Sequence, residues 1–145
     1  MLSTRSARCI LSLVIVLLPL SIGCGKTESN RGSVSGEVKL DGKPLEKGSI
    51  LFTPIEGTKG TVAGGEIKDG KYQLAGEKGP AQGKNSVSIR AVRKTGKMVQ
   101  KPMAPRGEMT EEMAEAIAPR FNSSTTLSIE VKPGANTKDF DVQSK

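Results

Sequence analysis

Glu66-Ile67-Lys68-Asp69-Gly70-Lys71-Tyr72-Gln73-Leu74 decides the fold class of this chain. A two-residue Asp-Gly loop supplies the positive φ angles of a tight β-hairpin, so Glu66–Lys68 and Lys71–Leu74 read as antiparallel strands. Upstream, Val34, Gly36, Val38 and Leu40 alternate with Ser35, Glu37, Lys39 and Asp41. Period two with one polar side marks a half-buried strand. Asp41-Gly42-Lys43-Pro44 ends it with turn chemistry. Ser49–Thr53 is a second strand stopped by Pro54, and residues 61–67 are a third, weakened by Gly64 and Gly65.

Downstream, Val87, Ile89 and Ala91 alternate with Ser86, Ser88 and Arg90. Leu127, Ile129 and Val131 do the same, and Pro133-Gly134-Ala135-Asn136 turns the chain into a last short strand around Phe140 and Val142. Seven short strands separated by turn signals predict an all-β antiparallel sandwich. Residues 94–120 break the pattern. The stretch predicts a long loop carrying a short helix, capped by Thr110, with Glu111 and Glu112 at its positive end, Met113, Ala114 and Ile117 on one stripe, and Pro119 as its stop.

The N-terminus carries a different signal. Arg5 and Arg8 precede an apolar run from Ile10 to Leu20, and Ser21-Ile22-Gly23-Cys24 follows. The uncharged stretch of about 15 residues is shorter than the ~18–20 that cross a bilayer, and it has the layout of an export signal. The arrangement resembles a bacterial lipoprotein signal, although Ser21 stands where leucine is commonest. The resemblance implies cleavage after residue 23, lipidation of Cys24, and an anchor in the lipid bilayer on the extracytoplasmic side of the cell envelope. Residues 1–23 are then signal peptide, 24–32 a lipidated and flexible tether, and 33–143 the folded domain. Gly23-Cys24-Gly25-Lys26-Thr27 ends like a phosphate-binding loop, but Leu20 occupies the position of the first glycine and no strand precedes it.

Val34–Leu45, Gly48–Pro54 and Asp69–Leu74 together resemble carboxypeptidase-regulatory-like and transthyretin-like modules. Pro119–Asn122, Thr125–Val131 and Asp139–Val142 resemble the C-terminal part of small lipoproteins of planctomycete-type bacteria. The resemblance covers most of residues 33–143 apart from much of 94–118. It implies a seven-stranded immunoglobulin/prealbumin-like sandwich used as a stabilising or binding appendage. One transthyretin-like branch is hydrolytic and depends on histidines and a C-terminal Tyr-Arg-Gly-Ser. This chain has no histidine and ends Val142-Gln143-Ser144-Lys145, so that activity does not carry over.

Composition narrows the chemistry further. The absence of histidine removes His-dependent triads and most common zinc sites. Cys9 lies in the signal and Cys24 takes lipid, so no intrachain disulfide forms in the mature protein. The formal charge is +7, with basic residues interleaved among acids, and the aromatics are only Phe52, Tyr72, Phe121 and Phe140. That pattern speaks against nucleic acid as a partner.

Four of the five methionines, Met98, Met103, Met109 and Met113, fall in the atypical stretch. Thioethers suit Cu(I) and adaptable partner surfaces. Their irregular spacing along the chain, without His or Cys, makes loop packing the expectation and a partner-binding flap the second reading. Asp139 and Asp141 read as a solvated strand face, Asp41 and Asp69 as turn residues, and Glu111, Glu112 and Glu115 as helix-start and surface charges. Asn122-Ser123-Ser124 is a glycosylation pattern of little weight in a bacterial protein. No catalytic residue, metal or cofactor is expected, and Cys24 is the one assigned site. The expected function is non-catalytic binding of an envelope protein or polysaccharide. A purely structural role and a histidine-free hydrolase are the alternatives.

Overall fold

The computed structural model describes residues 30–144. The chain is mostly β, with two single-turn 3-10 segments at Gly76–Lys78 and Pro119–Phe121. The strands are β1 (Ser33–Leu40), β2 (Lys43–Pro44), β3 (Lys47–Pro54), β4 (Ala63–Lys68), β5 (Lys71–Leu74), β6 (Gly83–Arg90), β7 (Val92–Gln100), β8 (Met109–Glu115), β9 (Ser128–Val131), β10 (Ala135–Thr137) and β11 (Phe140–Val142). Among the described residues there are eleven strands rather than seven. The additional ones are short segments without periodicity of their own, together with the pair β7 and β8. The helix expected after Thr110 is absent, because Met109–Glu115 is β8 and pairs with β7. Helix-forming residue types are overridden here, since an isolated seven-residue helix is unstable in water and a cross-strand partner is at hand.

Nine strands form one curled sheet. Its main path is β10-β1-β5-β4-β3-β6-β9, with β2 and β11 also joined to β1. β7 and β8 form a separate two-stranded ribbon. The Asp-Gly turn is as the sequence predicts. Asp69 and Gly70 have φ of 49° and 75°, and Lys68 pairs with Lys71 across them. That is the only paired position between β4 and β5. Beyond it the strands diverge, β4 toward β3 and β5 toward β1.

The pairing is not antiparallel throughout. β10 and β11 both run parallel to β1, in the same register, with a break at Lys138-Asp139. The break has a local cause at Gly36, where a Cβ would sit 2.0 Å from the Lys138 carbonyl oxygen. Only glycine lets the chain pass this close. The Tyr72 hydroxyl donates to that same carbonyl at 2.6 Å, and Glu37 N–H donates to the Asp139 carboxylate at 2.7 Å. Asp139 thus supplies the acceptor that the interrupted ladder lacks.

The inward positions gather into a single core. Val34, Val38, Ile50, Phe52, Ile67, Leu74, Val87, Ile89, Ile117 and Val142 are almost fully buried. Tyr72 lies between Phe52 and Phe140, each ring centroid 6.1 Å away in a tilted arrangement. Burying one such aliphatic or aromatic side chain contributes about 1.5–3 kcal/mol, so a fold without disulfides can rest on this cluster.

Candidate functional site

The β7–β8 ribbon rises from two buried alanines, Ala91 and Ala116, joined by a hydrogen bond from Ala116 N–H to Ala91 O at 2.8 Å. No residue from Val92 to Glu115 belongs to the core. The ribbon is held by its own ladder and by cross-strand charges. Lys94 pairs with Glu111 at 2.9 Å and Lys97 with Glu112 at 4.0 Å, and Lys101 binds Glu108 beside the tip. Glu111 also accepts from Gly96 N–H at 3.2 Å, where β7 bulges between Lys94 and Met98. Glu115 accepts from Ala91 N–H at 3.1 Å and so ties the ribbon to its base. The glutamates serve strand pairing, not a helix start.

Register sorts the side chains. Lys94 faces Met113, Met98 faces Glu111, and Gln100 faces Met109. Directly paired residues share a face, and so do alternate residues along a strand. Val92, Met98, Met109 and Met113 therefore lie on one face of the ribbon. They are 62%, 55%, 48% and 51% exposed, and Met103 at the tip is entirely exposed. The expectation that the methionines fill loop packing fails, because these side chains are about half exposed or more and none belongs to the core.

A cleft of about 1060 Å³ opens where β4 and β5 diverge. Glu37, Leu51, Glu66, Lys71, Gln73 and Lys78 line it. Lys68, hydrogen bonded to Glu66 at 3.0 Å, holds that carboxyl below its usual range. The buried phenol of Tyr72 is pushed well above its usual range, first by burial and then by the Asp139 charge, so it stays a neutral donor.

At the opposite end of β6 from the ribbon, the chain's entry into the domain is latched. Arg31 donates to Gly79 O and to Thr61 Oγ1, each at 2.7 Å, and pairs with Ala81 in an isolated bridge. Asn30 donates to Lys59 O at 3.2 Å, and Gln82 N–H donates to Asn30 O at 3.0 Å. Asn30–Gly32, within the stretch expected to be tether, are thus held on the domain. Cys24 and the whole expected signal, residues 1–23, lie outside the described residues.

The remaining candidates take structural roles. Asp41 accepts from Ser144 N–H at 3.0 Å, which lowers its pKa. Asp69 forms its turn, and exposed Asp141 lies on β11. Asn122 is buried and donates to Ile117 O at 3.1 Å, so its amide faces the backbone rather than solvent. Among the described residues, no group of three or more His, Cys, Asp or Glu side chains could hold a metal, and no helix is long and apolar enough to cross a membrane. Compared with family models, curated proteins and solved structures, the chain matches none.

The ribbon is the feature that sequence reasoning missed. One signal was available. Lys94, Lys97 and Lys101 before the Pro-Gly-containing tip mirror Glu108, Glu111 and Glu112 after it, a charge pattern that suits antiparallel pairing.

Proposed function

We propose that this chain is an extracytoplasmic lipoprotein, acylated at Cys24, whose non-catalytic domain offers the β7–β8 ribbon to a protein of the cell envelope. The domain is read as a sandwich of the prealbumin-like type. β10/β11-β1-β5 and β4-β3-β6-β9 form its two layers, joined at the Asp69-Gly70 turn. The resemblance of Val34–Leu45, Gly48–Pro54 and Asp69–Leu74 to carboxypeptidase-regulatory-like and transthyretin-like modules supports this reading.

The observation that carries the functional proposal is the placement of the two ends of β6. The Arg31 latch lies at its start, whereas the ribbon leaves its end, eight residues further along. That separates the ends by about 25 Å. Residues 25–29 span at most roughly 20 Å between Cys24 and the latch. An anchor at Cys24 would tether the domain by the latched end of β6, with the base of the ribbon at the other end. Mature lipoproteins carry several acyl chains, beyond the single chain that binds a membrane only marginally. The charged edges and exposed methionines of the ribbon suit an adaptable protein contact.

A crosslinking pull-down from native membranes, comparing the wild type with Cys24→Ser, tests the proposal. Cys24→Ser is expected to lose lipid labelling, membrane retention and the crosslinked partner together. Unchanged labelling and retention would show the anchor to be wrong.

A further inference from the structure

We propose that the ribbon carries a thioether site for a soft monovalent cation, Cu(I) or its analogue Ag(I), pivoted on Met98. The spacing of Met98, Met109 and Met113 is irregular along the chain, but the register brings all three to one face of the ribbon, with Met113, the partner of Lys94, across the bulge from Met98. Met98 pairs directly with Glu111. Met109 and Met113 stand two residues to either side of Glu111 on the same face, so both are diagonal neighbours of Met98. Diagonal positions are about 7–8 Å apart at Cα and lie within reach of long side chains. Met109 and Met113, four residues apart on one strand, are separated by roughly 13 Å and cannot readily share an ion without Met98 between them. Two overlapping thioether pairs result, Met98–Met109 and Met98–Met113, with one sulfur common to both. They provide for one ion per chain.

The surrounding chemistry selects a soft ion. Thioether sulfur prefers Cu(I) over hard or borderline cations. The hard ligands on this face, Glu111 and Glu115, are already engaged, Glu111 by Lys94 and Gly96 N–H and Glu115 by Ala91 N–H. No histidine competes anywhere in the chain. All three methionines are about half exposed, so an ion can reach them without opening the core. Met103, at the tip and outside the paired register, serves as an internal control.

The test uses the chain from residue 24 onward with Cys24→Ser, which removes the competing thiol. Cu(I) is titrated anaerobically against a chromogenic chelator, and Ag(I) is followed through the methionine methyl signals by NMR. One equivalent should bind and shift the methyls of Met98, Met109 and Met113, leaving Met103 unmoved. Met98→Leu should weaken binding about tenfold or more, because both pairs lose their shared sulfur. Met109→Leu and Met113→Leu should each weaken it by less, and Met103→Leu not at all. Absence of saturable binding, or a loss in Met103→Leu equal to that in Met98→Leu, would overturn the site. The titration needs neither lipid nor protein partner, so its failure would leave the anchor and docking proposals standing.

Discussion

Excising the ribbon at its base should leave the rest of the domain folded. The perturbation replaces Val92–Glu115 with Asn-Gly, a two-residue loop suited to the hydrogen-bonded Ala91–Ala116 pair. No core side chain is lost, because the core resumes at Ala116 and Ile117. The Lys94–Glu111, Lys97–Glu112 and Lys101–Glu108 contacts hold only the ribbon itself. What the domain loses directly is the bond from Ala91 N–H to the Glu115 carboxylate, a contribution of about 1 kcal/mol. Shortening the connection roughly tenfold favours closure by about 2 kcal/mol. These effects oppose each other, so stability should change by no more than about 2 kcal/mol in either direction. Urea unfolding followed by far-UV circular dichroism measures it. A single cooperative transition with a similar midpoint is expected. Loss of cooperativity, or destabilisation beyond about 3 kcal/mol, would mean that the ribbon is part of the core structure and would refute the reasoning.

Other consequences follow from the break between β10 and β11 and from the hydrogen bond of Ser144 N–H to Asp41. Gly36→Ala should destabilise by about 2–3 kcal/mol in the same unfolding assay, because its Cβ meets backbone rather than a movable side chain. Tyr72→Phe should cost about 1 kcal/mol, since the ring stays packed while the Lys138 carbonyl loses its donor. The Asp41 carboxyl, lowered mainly by the Ser144 N–H bond, contributes stability above its unfolded value of 3.8. That contribution fades as pH falls through the lower folded value. Amide exchange at Ser144, corrected for intrinsic rates, should therefore show protection lost on acidification below pH 3.8, and Asp41→Asn should remove that dependence.

The parts legible in the sequence were those governed by local chemistry. Asp69-Gly70 formed its hairpin because both residues accept positive φ. The inward sets Val34 and Val38, Val87, Ile89 and Ala91, and Phe140 and Val142 are buried where their alternation placed them. What escaped depends on partners distant in sequence. Thr110–Glu115 looks helical until Val92–Gln100 is paired with it. The parallel run of β10 and β11 rests on the Lys138 carbonyl fitting against Gly36, about a hundred residues earlier, which no periodicity announces. The same holds for the candidate site. Each methionine was visible, but the shared face appears only once the register across the ribbon is known.

We propose that the ribbon makes the contact for which an anchor at Cys24 would position the domain. A photo-crosslinking side chain at Gln100, near the ribbon tip, and another at Lys59, beside the Arg31 latch, would be compared in native membranes. A third photo-crosslinking side chain, at Gln73 on β5, would be compared in the intact chain and in one with the ribbon excised. The expected result is a discrete protein adduct from Gln100, none of that size from Lys59 or from Gln73 with or without the ribbon, and membrane retention of the chain throughout. The same adduct from Lys59, or from Gln73 after excision, would contradict the claim.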